Sequence, residues 1–309
     1  MRHFKIFSLG LMLLLLLSGF KDQDIQNQDV HFAVIGDTPY KSDDIKNLET
    51  VFDSMKALDI PFVVHVGDIM APDNGECKEA LYGRAKKVFD VSPMPLIITI
   101  GDNEYLDCKN IDHIKAREIF IEKILGSPST TQTLYGSDKK INPIQIERQQ
   151  EVIENASWTH ENVDFVMIAL PHLPGEVPLS SEEMTSLQAK NISFLKMGFK
   201  NAKDKGRSAI VLIMHSNPAE CNTIRSPYCK EFDNTLVDQV VKFDRPVLTI
   251  HGDNHTENWQ EQYLNINNWW MLRPGRIVKK ELQFRWPEVI FLEKEKKFVR
   301  VRIYPEIKD

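Results

Sequence analysis

The chain is poor in cysteine, in repetitive tracts and in surplus positive charge, and each shortage removes a class of function. Four cysteines stand among 309 residues, and none pairs in a Cys-x-x-Cys spacing, so the pattern of a structural zinc site is missing. Lysine and arginine number 38 against 44 acidic residues, a net charge of -6, which leaves no basis for general nucleic-acid binding. Small anionic substrates stay open if a metal supplies local positive charge. Beyond residue 20 no apolar run is long enough to span a bilayer. With no internal repeat, low-complexity tract or linker either, residues 21–309 read as a single domain.

What is present begins with an export signal. Arg2, His3 and Lys5 precede a leucine-rich apolar run over 6–17, and Ser18 and Gly19 supply small residues before a polar stretch. Residues 1–20 therefore read as a secretory signal peptide, with an uncleaved signal anchor as the only membrane contact to expect. Phe20 stands where the lipidated cysteine of a lipoprotein would be. A periplasmic or secreted location follows, and there an even number of cysteines reads as disulfides. The local pairs Cys77–Cys108 and Cys221–Cys229 are the expected ones.

Six short runs rich in Val, Ile and Leu, at 30–35, 61–66, 95–100, 165–170, 209–214 and 246–250, show little alternation, as strands buried on both faces do. Helical spacing separates several of them: Ile45, Leu48, Phe52 and Met55 behind Ser42; Ala80 to Phe89 within 77–91; and a helix from Ser180 to about Lys203 opened by a Ser-x-x-Glu box. Strands alternating with helices imply an α/β core with a largely parallel sheet. The polar region 126–162 reads as a long surface excursion. After His255, aromatic-rich short strands are expected to close the sheet in antiparallel fashion. His65 and His31 read as core histidines, Trp269 and Trp270 as core aromatics, and His172 as a loop or pocket residue.

The strand ends carry the chemistry. Apolar runs pass into Gly-Asp at Asp37, Asp68, Asp102 and Asp253, and a fifth strand ends in His215. With 14 glycines, chance would give roughly one Gly-Asp pair, so four at strand ends mark a site. The carboxyl ends of strands in an α/β sheet form the ligand crevice. Carboxylates gathered there repel one another unless a cation sits among them.

The order GDTPY, GDIM, GDNEY, MHSN and HGDNH resembles the calcineurin-like metallophosphoesterase superfamily over roughly residues 30–255, and in particular an exported bacterial subgroup with the same GDTPY and GDNE variants. The resemblance implies a sandwich of two mixed β-sheets flanked by helices, in four α/β/β/α layers. It also implies two divalent metal ions (Mn, Fe or Zn) and hydrolysis of a small phosphorylated substrate, mono- or diester, by a metal-bridging hydroxide. Carried over by position, Asp37 and His255 would serve the first metal, Asp68 would bridge, and His215 would serve the second. In the third motif either Asp102 is the ligand and Asn103 stands at the family's acid histidine, or Asn103 is the ligand and Glu104 stands there. In the fifth, Asp253 or His251 would complete the set. Pro39 replaces a usual ligand histidine, with Tyr40 just beyond it. The family's acid histidine has no counterpart, which leaves a second reading: a non-catalytic binding protein with a reduced metal site. Substrate identity and oligomeric state stay open at this level.

Overall fold

The computed structural model describes residues 28–72, 75–171, 181–217, 227–277 and 285–304. The signal peptide, His172 and Cys221, one half of the expected Cys221–Cys229 pair, lie outside them. Strands β1 (Val30–Ile35), β2 (Val63–His65) and β3 (Leu96–Ile98) run parallel in one five-stranded sheet. Antiparallel β12 (Trp286–Leu292) and β13 (Lys297–Ile303) complete it in the order β13-β12-β1-β2-β3. The second sheet has eight strands, and its parallel centre is β7 (Val163–Met167), β8 (Ala209–Ile213), β9 (Val247–Ile250) and β11 (Trp269–Arg273). With β4 (Thr131–Leu134), β5 (Ile144–Arg148), β6 (Ala156–His160) and β10 (Asn258–Glu261) as its outer members, the order is β10-β11-β9-β8-β7-β6-β5-β4.

The lack of alternation in the central strands has a direct cause, because both faces of each sheet are covered. Val34, Val64, Val211 and Ile213 meet between the sheets, with Phe32, Phe62 and Phe165. Their neighbours point outward: Ala33, Ile35 and Val63 pack under helices α1 (Ser42–Ala57), α2 (Glu79–Phe89) and α3 (His113–Lys123). On the far side Ile210 and Leu212 pack under α4 (Ser181–Asp204) and α5 (Pro227–Phe243). The result is a four-layer α/β/β/α sandwich of two mixed sheets, as the motif resemblance implied. Among the described residues no helix is long and apolar enough to cross a membrane.

Three expectations are corrected. Region 126–162 is not a surface excursion: β4 (Thr131–Leu134), β5 (Ile144–Arg148) and β6 (Ala156–His160) extend the larger sheet antiparallel beyond β7. Their exposure alternates, with Ile144 and Ile146 buried between exposed neighbours, so each short strand carries too few apolar residues to stand out. After His255 the closure is mixed, since β11 pairs parallel to β9 while β10 (Asn258–Glu261) pairs antiparallel to β11, and β12 and β13 join the other sheet. His31 is not a core residue: its half-exposed ring meets Glu288 at 3.1 Å.

Candidate metal centre

Every parallel strand of the two sheet centres points its carboxyl end to the same side, and the turns there decide what the crevice contains. Asp37, Asp68 and Asp253 adopt left-handed backbone with φ of 53°, 60° and 69°. Aspartate tolerates that region better than most residues, and the turn swings its carboxylate off the strand end. The glycines allow the loops to approach. A Cβ on Gly101 would stand 2.3 Å from Asp68 Oδ1, and one on Gly67 would stand 2.8 Å from His215 Nδ1.

Two groups of donor atoms result, each with its atoms within 4.8 Å of one another: Asp37, Asp68 and His255, and Asp68, Asp102 and His215. Asp68 belongs to both. His215 is fully buried, and its Nδ1 donates to the Val66 carbonyl at 2.7 Å. That bond fixes the tautomer and turns Nε2 towards Asp102 at 3.2 Å and Asp68 at 3.4 Å, as expected of a metal-binding histidine oriented from behind. His255 Nε2 lies 3.9 Å from Asp37 Oδ1.

Asp37 is the most telling residue. It is 0 % exposed, and neither carboxylate oxygen has a hydrogen-bond partner. Burial pushes its pKa up, while His215 and His255 draw it back. Asp68 is likewise raised well above the carboxylate range by burial. Burial pulls His215 down, yet Asp68 and Asp102 outweigh it and hold the imidazole well above its ordinary value. Three carboxylates gathered round one buried imidazole offer oxygen and nitrogen donors that suit zinc, manganese or iron.

The remaining expected residues take other positions. Asn103 holds Asp68: its backbone N–H reaches Oδ1 at 3.2 Å and its amide nitrogen reaches Oδ2 at 3.0 Å, with a second bond to the Met70 carbonyl. Glu104 is fully buried and accepts the backbone N–H groups of Asp68, Ile69 and Gly101 at 2.8–3.0 Å. Burial pushes its pKa up to about 7, opposed by His215 and those amides. Its geometry is that of a clamp joining the second and third motifs rather than of an acid open to a leaving group. His251 and Asp253 both stand outside the two donor groups. His251 is buried, with Nδ1 near the Gly252 carbonyl, while Asp253 is exposed although close enough to raise Asp37.

His65 is a satisfied core histidine, as read, with Nε2 2.7 Å from the Thr38 carbonyl. The Cys77–Cys108 disulfide is present, and both sulfurs lie against the Asn103 carbonyl. Tyr40 does more than its sequence position suggested. Its hydroxyl donates to Asp68 Oδ2 at 2.7 Å and lies 3.3 Å from His255 Nε2. Burial, with Asp68 and Asp37 beside it, pushes that phenol far up. Arg276, which sequence reasoning missed, stacks 4.2 Å from the Tyr40 ring and pairs with Asp44 at 2.8 Å. The sequence carried no signal for it, because Arg276 reaches the crevice only through the parallel pairing of β11 with β9, where antiparallel closure was expected. Beside the centre a cavity of about 420 Å³ opens at the ends of β3 and β7, lined by Ile100, Tyr105, His113, Arg117, Glu154 and Ala169 among others.

Comparison with solved structures places the fold. A dimetal phosphatase from Danio rerio superposes with a TM-score of 0.59 at 13% identity, over 89% of this chain and 99% of that one. The Plasmodium protein GAP50, described as the anchor in the inner membrane complex, matches with a TM-score of 0.50 at 15% identity, over 91% of this chain and 90% of its own. The chain has a metallophosphoesterase-like fold. No protein-family profile matches the sequence, and no curated protein does.

Proposed function

We propose that the chain is an exported, metal-dependent phosphoesterase that hydrolyses a small phosphate mono- or diester. The observation that carries this reading is Asp37, a fully buried carboxylate without a hydrogen-bond partner, one donor in a pair of groups that share Asp68. An ionised carboxylate is not held there by protein donors, so a cation is the chemistry that fits. Asp37, Asp68 and His255 would hold one divalent ion, and Asp68, Asp102 and His215 the other. Two such ions supply Lewis-acid activation of water and neutralise the charge on a phosphoryl group.

The chain's own residues supply the rest. Tyr40 and Asn103 fix the Asp68 carboxylate from two sides, Glu104 ties its backbone to the third motif, and Val66 orients His215. The Cys77–Cys108 bridge supports the exported location.

The second reading, a non-catalytic binding protein, is favoured by one observation: Glu104 is spent on three amides and Asn103 carries no titrating proton, so neither replaces an acid histidine. Elemental analysis of the purified chain, joined to assays of aryl phosphate mono- and diesters with added manganese, iron or zinc, separates the two. Two ions per chain with turnover support the enzyme, whereas tight metal without turnover on any ester supports the binder. The Asp68→Asn chain should lose both ions, and His215→Ala or His255→Ala one each. No metal under any loading overturns the site itself.

A further inference from the structure

Five arginines crowd the His255 side of the crevice. Chain direction puts them there: β12 runs antiparallel to β1 with Glu288 opposite Ala33, so Arg285, just before β12, lies at the end of β1 that leads to Asp37. Arg302 is paired with Pro287 in β13 and shares that end, with Arg300 one step behind on the same face. Arg273 and Arg276 flank the turn after β11 and pack on the loop that carries His255: Arg276 N–H donates to the His255 carbonyl at 3.1 Å, and Arg273 holds the Thr256 carbonyl and hydroxyl.

The counter-charges are too few. Arg300, Arg302 and Arg285 all converge on one buried carboxylate, Glu257. Arg276 pairs with Asp44, and Arg273 is held by uncharged oxygens. With exposed Asp253 counted in the same loop, five guanidinium groups on this rim face three carboxylates among the described residues. Such a surplus is conspicuous in a chain whose net charge is -6. Arg285 and Arg302 are about half exposed, at 51% and 44% of their side chains, so their outer N–H groups face solvent. A planar guanidinium presents a fork that matches an oxyanion in two bonds, and several around one carboxylate keep donors to spare.

We propose that this arginine rim is a second anion subsite, which binds a further oxyanion group of the substrate while the ester phosphate lies at the metal centre. The substrate would then be a small molecule with two anionic groups rather than a simple monophosphate. The inference rests on the phosphoesterase reading for its meaning, but the rim's affinity for an anion can be measured without it. The probe is inorganic tripolyphosphate titrated calorimetrically into the full mature chain after chelation of metal, at low salt. Binding should weaken as ionic strength rises, because the rim is solvent-exposed. Arg273→Gln with Arg285→Gln should raise Kd about fivefold or more, as expected when two charge-assisted contacts are lost. A smaller change in a variant that melts like the parent overturns the proposal. Arg285→Gln alone serves if the double variant melts lower, and an unchanged Kd there is equally fatal. Because the titration is run without metal, it is read apart from turnover: a chain that is inert in the metal-loaded ester assays yet binds tripolyphosphate through the rim would sink the enzyme reading and leave the subsite standing.

Discussion

Glu104 shows how one residue type supports opposite roles at one place in the chain. Its position in GDNE invites a catalytic acid, but in the fold its two oxygens collect three backbone N–H groups with no exposed surface. Glu104→Gln keeps the volume and hands an amide nitrogen to at least one of those donors. The variant should lose about 2 kcal/mol or more in chemical denaturation, the cost of leaving a buried N–H unpaired. The acid limb of its pH–rate profile should stay where it is. A profile that loses a limb while stability holds would restore the acid role. Asp37, Asp68 and His215 were legible in the sequence because each closes an apolar run, whereas His255, five residues past Ile250, came from the motif resemblance. What was not legible is which side chain a turn lifts into the crevice: His251 and Asp253 fit the pattern as well as His255 does, yet only His255 joins a donor group.

The elements that carry the site are its loops, and these are tied together more firmly than the strands alone would require. The loop after Asp68 and the loop after Asp102 are joined by Cys77–Cys108, by paired bonds between Cys77 and Asn110, and by the Lys109 N–H on the Gly75 carbonyl. A bridge across 31 residues stabilises chiefly by restricting the unfolded chain, by about 3–4 kcal/mol. Cys77→Ser with Cys108→Ser should lose about that much, and it should also release metal to a chelator faster, since Asn103 no longer rests on the sulfurs. Equal chelation rates in both chains would show that the bridge does not position the third motif. Strands β4–β6 mark the opposite limit of legibility, because short alternating strands on a sheet's edge bury only every second residue and leave little periodicity to read.

At the scale of the molecule, the double coverage of the two sheets made the fold class readable: central strands that face a helix layer on one side and the other sheet on the opposite side must be apolar throughout. The same coverage buries titratable groups. His65 is fully buried, and burial pulls its pKa down from 6.5 to about 4. The unfolded chain therefore takes up the proton first, so the stability His65 contributes is complete above pH 6.5 and is lost as pH falls towards 4. The shift corresponds to roughly 3 kcal/mol. Stability measured at pH 7 and at pH 4.5 should differ less in His65→Gln than in the parent, and an equal difference would refute the assignment.

The unpartnered carboxylate of Asp37 has a consequence for how evolution could lose this site. On the proposed reading, a carboxylate that a metal satisfies works against folding whenever the metal is absent, so metal binding and apo-stability would oppose each other there. Asparagine accepts the same left-handed turn, at φ 53°, without the charge. At pH 8 and without metal, Asp37→Asn should melt above the parent chain, and saturating metal should reverse that order. Were the substitution destabilising in both states, the carboxylate would be part of the scaffold. If the order reverses, a single base change would suffice to drift this fold from a metal-dependent state to a sturdier, inert one.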